Sequence, residues 1–180
     1  MPTILTHAVV PIAARLGLGK PLVSNRLLMA GMAAAVIPDL DVIAFRIGIP
    51  YADAFGHRGA SHSLVFALLM GLTALVSAKA LRAPRWWAFA FVALSGLSHG
   101  LLDMLTDGGH GVALWWPFSE ERVFFAAQVI EVSPLSLRRV LSGRGWEVLQ
   151  SELVWVWLPA MVAAVCIALA LATWRRTVRH

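Results

Sequence analysis

Charge is scarce in this sequence. Asp, Glu, Lys and Arg make up 14% of its residues against 59% hydrophobic, whereas soluble domains carry roughly 25% charged and 45–50% apolar residues. With a mean hydropathy of +0.74, that shortage excludes an ordinary cytosolic domain and points to a bilayer. Cysteine is nearly absent: Cys166 stands alone in an apolar run. No intramolecular disulfide and no cysteine-based zinc site can form, so any metal must rest on His and carboxylates. Also missing is the basic stretch, apolar core and small-residue cleavage site of a signal peptide, so the N-terminus MPTILTHAVV is expected to stay in the mature protein. The chain lacks repeats and low-complexity tracts as well. The net charge of +5 does not point to nucleic acid, because the basic residues form no stripe interleaved with aromatics. They sit beside apolar runs instead, as Lys79, Arg82 and Arg85 or Arg175, Arg176 and Arg179 do, where the positive-inside rule expects cytoplasmic flanks.

What is present is a set of apolar runs of membrane length. The 180 residues suffice for one domain and are read as a single unit, 1–180. Residues 64–81, 86–105 and 153–174 each predict a spanning helix, with Lys79 able to snorkel and Pro159 tolerated inside the third. Residues 27–46 run into Pro38-Asp39-Leu40-Asp41, which predicts a broken or tilted span, since Pro38 disfavours helix at Ile37 and Asp39 can cap the helix after it. Residues 4–18 predict a helix too short to span comfortably. The expected fold is therefore all-α, a polytopic membrane bundle of three clear spans plus one or two broken or short N-terminal helices. Between 106 and 152 lies one long polar connection, in which LSLRRVLSGRGWEVLQ reads as an amphipathic surface helix.

Polar side chains gather at one end of this topology. His62 opens one span, while His99 and Asp103 lie late in the next, antiparallel one, and Asp39 and Asp41 sit at the break. Running the first helix back from Arg15 brings His7 toward the same face. An Asp at a helix centre costs roughly 2.5–3.5 kcal/mol on insertion scales, so several such groups need compensation. A divalent metal supplies it for imidazole and carboxylate together. His99 and Asp103, at i and i+4, share a helix face about 5–6 Å apart. A His and an Asp merely hydrogen-bonded inside the bundle would have the same spacing. His57 and His62 would diverge by about 140° on a continuous helix; a turn at Gly59, with Ser61 capping a helix from His62, lets both face one cavity. Asp39 is the ligand expected at the break and Asp41 a second ligand or a partner to a His. Arg58 is expected to pair with substrate phosphate, or else with Asp41 or Asp53. Gly96 and Gly100 have the spacing of a close helix contact.

Four ordered blocks carry a family resemblance: the early His7, P-D-L-D at 38–41, G-H-R-G-A-S-H-S at 56–63, and S-H-G-L-L-D-M-L-T at 98–106 with W-W-P-F at 115–118. In these the chain resembles the inner-membrane metal-dependent hydrolases of the YdjM type, also described as a LexA-binding family. The resemblance implies a helical membrane fold distantly similar to zinc-dependent phospholipase C and P1-type nucleases. By that analogy His7, Asp39, His57, His62, His99 and Asp103 would be metal ligands. Asp107 stands where the family often has a turn residue, the loop Gly108–Ala113 is longer, and His110 is not carried over as a ligand.

The expected activity is hydrolysis of a phosphoester, in a lipid or lipid-linked substrate, by water activated on one to three divalent ions, zinc in the first place. Arg58 or a second ion would steady the phosphoryl charge, with Asp41 or Asp107 as general base. Two other classes stay open. One is a non-catalytic module in which metal stabilises the bundle and a loop binds a protein partner, and the other is ion or proton transport, which predicts polar residues through both leaflets.

Overall fold

The computed structural model describes residues 1–134 and 143–178. They form helices α1 (Ile4–Leu18), α2 (Asn25–Val36), a 3-10 segment (Ile37–Ile47), a 3-10 turn (Ala60–His62), α3 (Leu64–Val76), α4 (Ala78–Leu81), α5 (Arg85–Met104), α6 (Gly143–Glu152), a π turn (Leu153–Trp157) and α7 (Leu158–Thr177). Among the described residues there is no strand, and two isolated bridges, Thr106 with Ile130 and Val112 with Val123, pin the long connection over one end of the bundle. The all-α membrane bundle expected from the sequence is the fold found. Residues 135–142 of the expected surface helix lie outside the described residues, and the rest of it is α6, which runs straight on toward α7.

Among the described residues, three helical stretches are long and apolar enough to cross a membrane: Asn25–Ile47, Arg85–Met104 and Gly143–Thr177. Two of these are spans read from the sequence. The third, Asn25–Ile47, is the broken one, and its break is where Pro38 falls: α-helical bonding stops at Val36 and the tighter 3-10 winding takes over, as a residue without an N–H and with a crowded predecessor demands. Residues 64–81 depart from expectation, because the run is not one helix. It turns at Ser77, and Arg82 at φ 55 closes the short α4, so α3 spans about 20 Å at 1.5 Å per residue. Pro159 is accommodated at the start of α7 by the wide π turn that precedes it; that turn absorbs the missing donor.

α3 packs on α5, α2 on α1 and α5, and α1 on α7. The contacts are made by small residues, Ala67, Gly71 and Ala74 of α3 against Ala93 and Gly96 of α5, the way helices approach closely in lipid. α7 buries little of itself and presents Val162, Val165 and Leu169 outward. One end of the bundle holds the basic connections: Ser24 and Arg26 donate to the carbonyls of Leu81 and Ala80, and Trp87 to that of Leu22. The carboxylates Asp39, Asp41, Asp103 and Glu152 lie at the other end, and that is where the helices converge on the site.

Candidate metal centre

Four stretches of chain deliver the site. α1 contributes His7, the 3-10 segment Asp39 and Asp41, the loop before α3 His57, Arg58 and His62, and α5 His99 and Asp103. His7, Asp39, His62, His99 and Asp103 are all buried. Local sequence explains each arrival. Pro38 ends α2 and turns the two Asp residues inward. The i, i+4 spacing on α5 puts His99 and Asp103 on one face, as expected. On α1, Pro11 lacks the N–H that would bond the carbonyl of His7.

The expected turn between His57 and His62 exists, but its chemistry differs from the reading of the sequence. Gly59 is needed because a Cβ there would lie 2.2 Å from the carbonyl oxygen of Ala54, not because its φ is positive; the left-handed residue is Arg58, at φ 62. Ser63 rather than Ser61 caps α3, accepting from Phe66 N at 3.1 Å. Ser61 is thereby free to donate to Asp41 Oδ2 at 2.6 Å. Gly100 lets the carbonyl of His62 come within 2.8 Å of where its Cβ would be, which sets His62 against His99 of the same α5 turn.

Asp39, His62, His99 and Asp103 each offer a ligand atom within 4.8 Å of the others. His99 Nε2 is 3.4 Å from Asp39 Oδ1, and His62 Nε2 is 3.4 Å from Asp103 Oδ2 and 3.9 Å from Asp39 Oδ1. Ligands on bonds of 2.0–2.1 Å in a tetrahedron stand roughly 3.3–3.4 Å apart, so these separations fit one shared ion. His7 joins at the edge, its Nε2 3.7 Å from Asp39 and 3.6 Å from Asp103, its ring stacked on His99 at 3.7 Å.

The proton positions are dictated by the partners behind. His99 Nδ1 lies 2.8 Å from the carbonyl of Ala35, which only accepts, so Nδ1 carries the hydrogen and Nε2 presents a lone pair. His62 Nδ1 faces Asp41 Oδ2 at 3.1 Å, so in the neutral ring its Nε2 likewise points a lone pair inward. These two nitrogens stand 2.9 Å apart. Beside them, both nitrogens of His7 and both oxygens of Asp39 have no hydrogen-bond partner, and Asp103 has only the ion pair that Arg58 makes with its Oδ2. Buried polar groups are otherwise almost always satisfied. Inward lone pairs and unpartnered carboxylate oxygens repel one another unless a cation lies between them, and the donor set, imidazole and carboxylate, is that of a divalent metal site. The residues fit the group.

Arg58, expected to reach substrate phosphate, is fully buried and committed elsewhere. Its Nε is 3.0 Å from Asp103 Oδ2, and it donates to the carbonyl of Gly108 at 2.8 Å and to Thr106 Oγ1 at 2.9 Å. Its side chain braces Asp103, and only its backbone N–H meets Asp41, at 3.1 Å. Asp41 is equally occupied: besides Ser61 and His62 it meets His57 Nδ1 at 2.5 Å. His57 thus stands behind Asp41, outside the four-residue group, in a second cluster with Asp41 and His62. Asp107 is not brought in; it is exposed and accepts from Val132 N at 2.7 Å. His110 is exposed and stacks on Tyr51.

Three residues escaped the reading of the sequence. Tyr51 lies between His57 and His110 with its hydroxyl beside Gly109, and burial raises its pKa, so it stays a neutral donor. Arg122 ties the loop together through the carbonyls of His57, Tyr51 and Asp53. Glu152, wholly buried, accepts from Thr3 N, from Thr3 Oγ1 and, at 2.6 Å, from Thr6 Oγ1, fixing the start of α1 to the last span. Nothing in a mixed polar stretch marked it.

A cavity of about 400 Å³, lined by Met1, Thr3, Ile4, Leu5, Val42 and Ser133, touches the cluster at Asp39. A second, about 320 Å³, ends on Asp41 and Ser61.

Comparison with known proteins bears on both fold and site. The profile of the family described as YdjM inner membrane protein matches residues 1–176. The chain is 45% identical to inner membrane protein YbcI of Escherichia coli (strain K12), over 98% of this chain and 99% of that protein. It is 43% identical to inner membrane protein YdjM of the same organism, over 39% of this chain and 35% of that one. No solved structure matches it. These names state a location, the inner membrane, and no activity.

Proposed function

The chain belongs to the YdjM inner membrane protein family, and from that premise we propose that it is a metal-dependent phosphoester hydrolase of that membrane. The observation that carries the proposal is the buried group of imidazole nitrogens and carboxylate oxygens short of hydrogen-bond partners, with Asp39 bordering a cavity. Asp39, His62, His99 and Asp103 would hold the ion, with His7 as a fifth donor. Charge favours a cation there, because Asp39, Asp41 and Asp103 outnumber the guanidinium of Arg58 beside them. Zinc suits the nitrogen and oxygen donors.

A bound divalent ion would supply an acidified water and a positive centre for the phosphoryl oxygens. The chain's own groups do the rest. Asp41 fixes the tautomer and direction of His62, and the carbonyl of Ala35 does so for His99. Arg58 holds Asp103 in place. Asp39 borders the cavity, so besides holding the ion its carboxylate would be the group to accept a proton from water entering there. Burial of the whole group excludes other water and strengthens each interaction. In this reading Asp41 takes the role of partner to a His that the sequence also offered, Arg58 positions Asp103, and Asp107, exposed and bonded to Val132 N, is assigned no step.

One observation favours a different reading. Four buried ligands suffice to close a tetrahedron, which is the pattern of a structural ion, and then the protein would be a metal-stabilised module for a protein partner. The two are separated by metal analysis of wild type, His62→Ala and His99→Ala beside phosphate or headgroup release from phospholipids and soluble phosphodiesters. Metal and turnover lost together support the hydrolase. Stoichiometric metal in wild type with no turnover of either substrate class overturns it.

A further inference from the structure

The depth of the metal centre says where its substrate comes from. The connections bearing Lys20, Arg26, Lys79, Arg82 and Arg85 cannot lie in hydrocarbon, so they mark one edge of the bilayer. From that edge α2 rises 12 residues to the break at Pro38, α3 descends 13 residues from His62, and on α5 His99 stands 14 residues beyond Arg85. At 1.5 Å per residue each path puts the ligands roughly 20 Å away. A hydrocarbon core is about 30 Å thick. The centre therefore sits short of the far edge, within the leaflet opposite the basic connections.

The cavity that ends on Asp39 opens at that depth, and its rim is apolar. Ile4 and Leu5 of α1, beside Pro2 and Pro134, line its mouth and are 51% and 70% exposed. A mouth meant for solutes from water has no use for such a collar, whereas one facing acyl chains has no other choice.

We propose that this cavity is a lateral portal through which a phospholipid of that leaflet brings its headgroup ester to the metal centre while its acyl chains stay against Leu5 and Val42. The lipid binding stands on depth and rim; only the fate of the lipid rests on the hydrolase reading.

The test uses the full-length, metal-loaded protein in lipid nanodiscs, with trace phospholipid carrying a photoreactive acyl chain. Labelling at Leu5 and Val42 is expected to saturate and to be competed by unlabelled phospholipid, while labelling at Val165 and Leu169 of α7 rises linearly with probe. Val42→Trp, which fills the cavity, should abolish the saturable part. Ile4→Glu, on the exposed rim and compatible with folding at the first turn of α1, should raise KM for nanodisc phospholipid roughly tenfold and leave a soluble phosphodiester unchanged. Linear labelling everywhere, or equal effects of Ile4→Glu on both substrates, overturns the portal. Saturable labelling without turnover of any ester keeps the portal and removes the hydrolase reading instead.

Discussion

At the residue scale the centre is defined by what stands behind its ligands. Asp41 bonds His57, His62, Ser61 and the backbone of Arg58 at once. Such outer partners are commonly worth 10–100-fold in metal affinity. Asp41→Asn is expected to weaken binding by about that factor, read by competition with a chelator, in a protein whose helical circular dichroism is unchanged. A wild-type affinity in this variant would mean that His62 is oriented without Asp41. Arg58 makes a sharper case, since its removal leaves Asp103 buried without a counter-charge. Arg58→Met should cost about 3–5 kcal/mol in thermal melts of the metal-free protein. The loss should shrink when metal is added, because the ion takes over part of the compensation.

At the element scale the site depends on how closely α3 and α5 approach. Gly96 and Gly100 lie one turn apart on α5, yet they meet different neighbours. A Cβ at Gly96 would touch the Met70 terminal methyl, whereas one at Gly100 would press on the carbonyl of His62. A flexible side chain can yield and a backbone cannot. Gly100→Ala is therefore expected to destabilise by about 1–3 kcal/mol and to lower metal affinity. Gly96→Ala should leave metal binding alone. Paired denaturation and metal titrations of the two variants check the contrast, and equal metal affinities would refute it.

At the scale of the whole molecule, charge and metal set orientation and stability. All ten carboxylates lie outside the basic connections, in segments joined to the site end, so the chain is a multi-pass inner membrane protein polarised along its axis. With the basic connections cytoplasmic, His110→Cys in a Cys166→Ser background should react with an impermeant maleimide from outside intact spheroplasts, and Lys20→Cys should not. The reverse pattern would invert the topology. Because the ion binds an arrangement that exists only in the folded bundle, metal at a hundred times its Kd should add about 2.7 kcal/mol of stability. A chelator should lower the melting temperature of wild type and not of His99→Ala.

Membrane class, the break at Pro38, the i, i+4 pair on α5 and the gathering of His and Asp at one end were all legible in the chain alone, because hydropathy, proline chemistry and helical periodicity act within a few residues. The same local signals singled out His7, Asp39, His62, His99 and Asp103. The roles of Arg58, Asp41, His57 and Asp107 came from long-range packing instead: whether a guanidinium meets substrate or a neighbouring carboxylate depends on groups some 40 positions away or more, which local pattern does not encode. Glu152 is a further instance, since its partners Thr3 and Thr6 come from the opposite end of the chain. The length of α3 was overestimated for a related reason. Apolar composition shows that a stretch can lie in lipid, but its helix was stopped at Ser77 and Arg82 by the packing of α4 against α2 and α5.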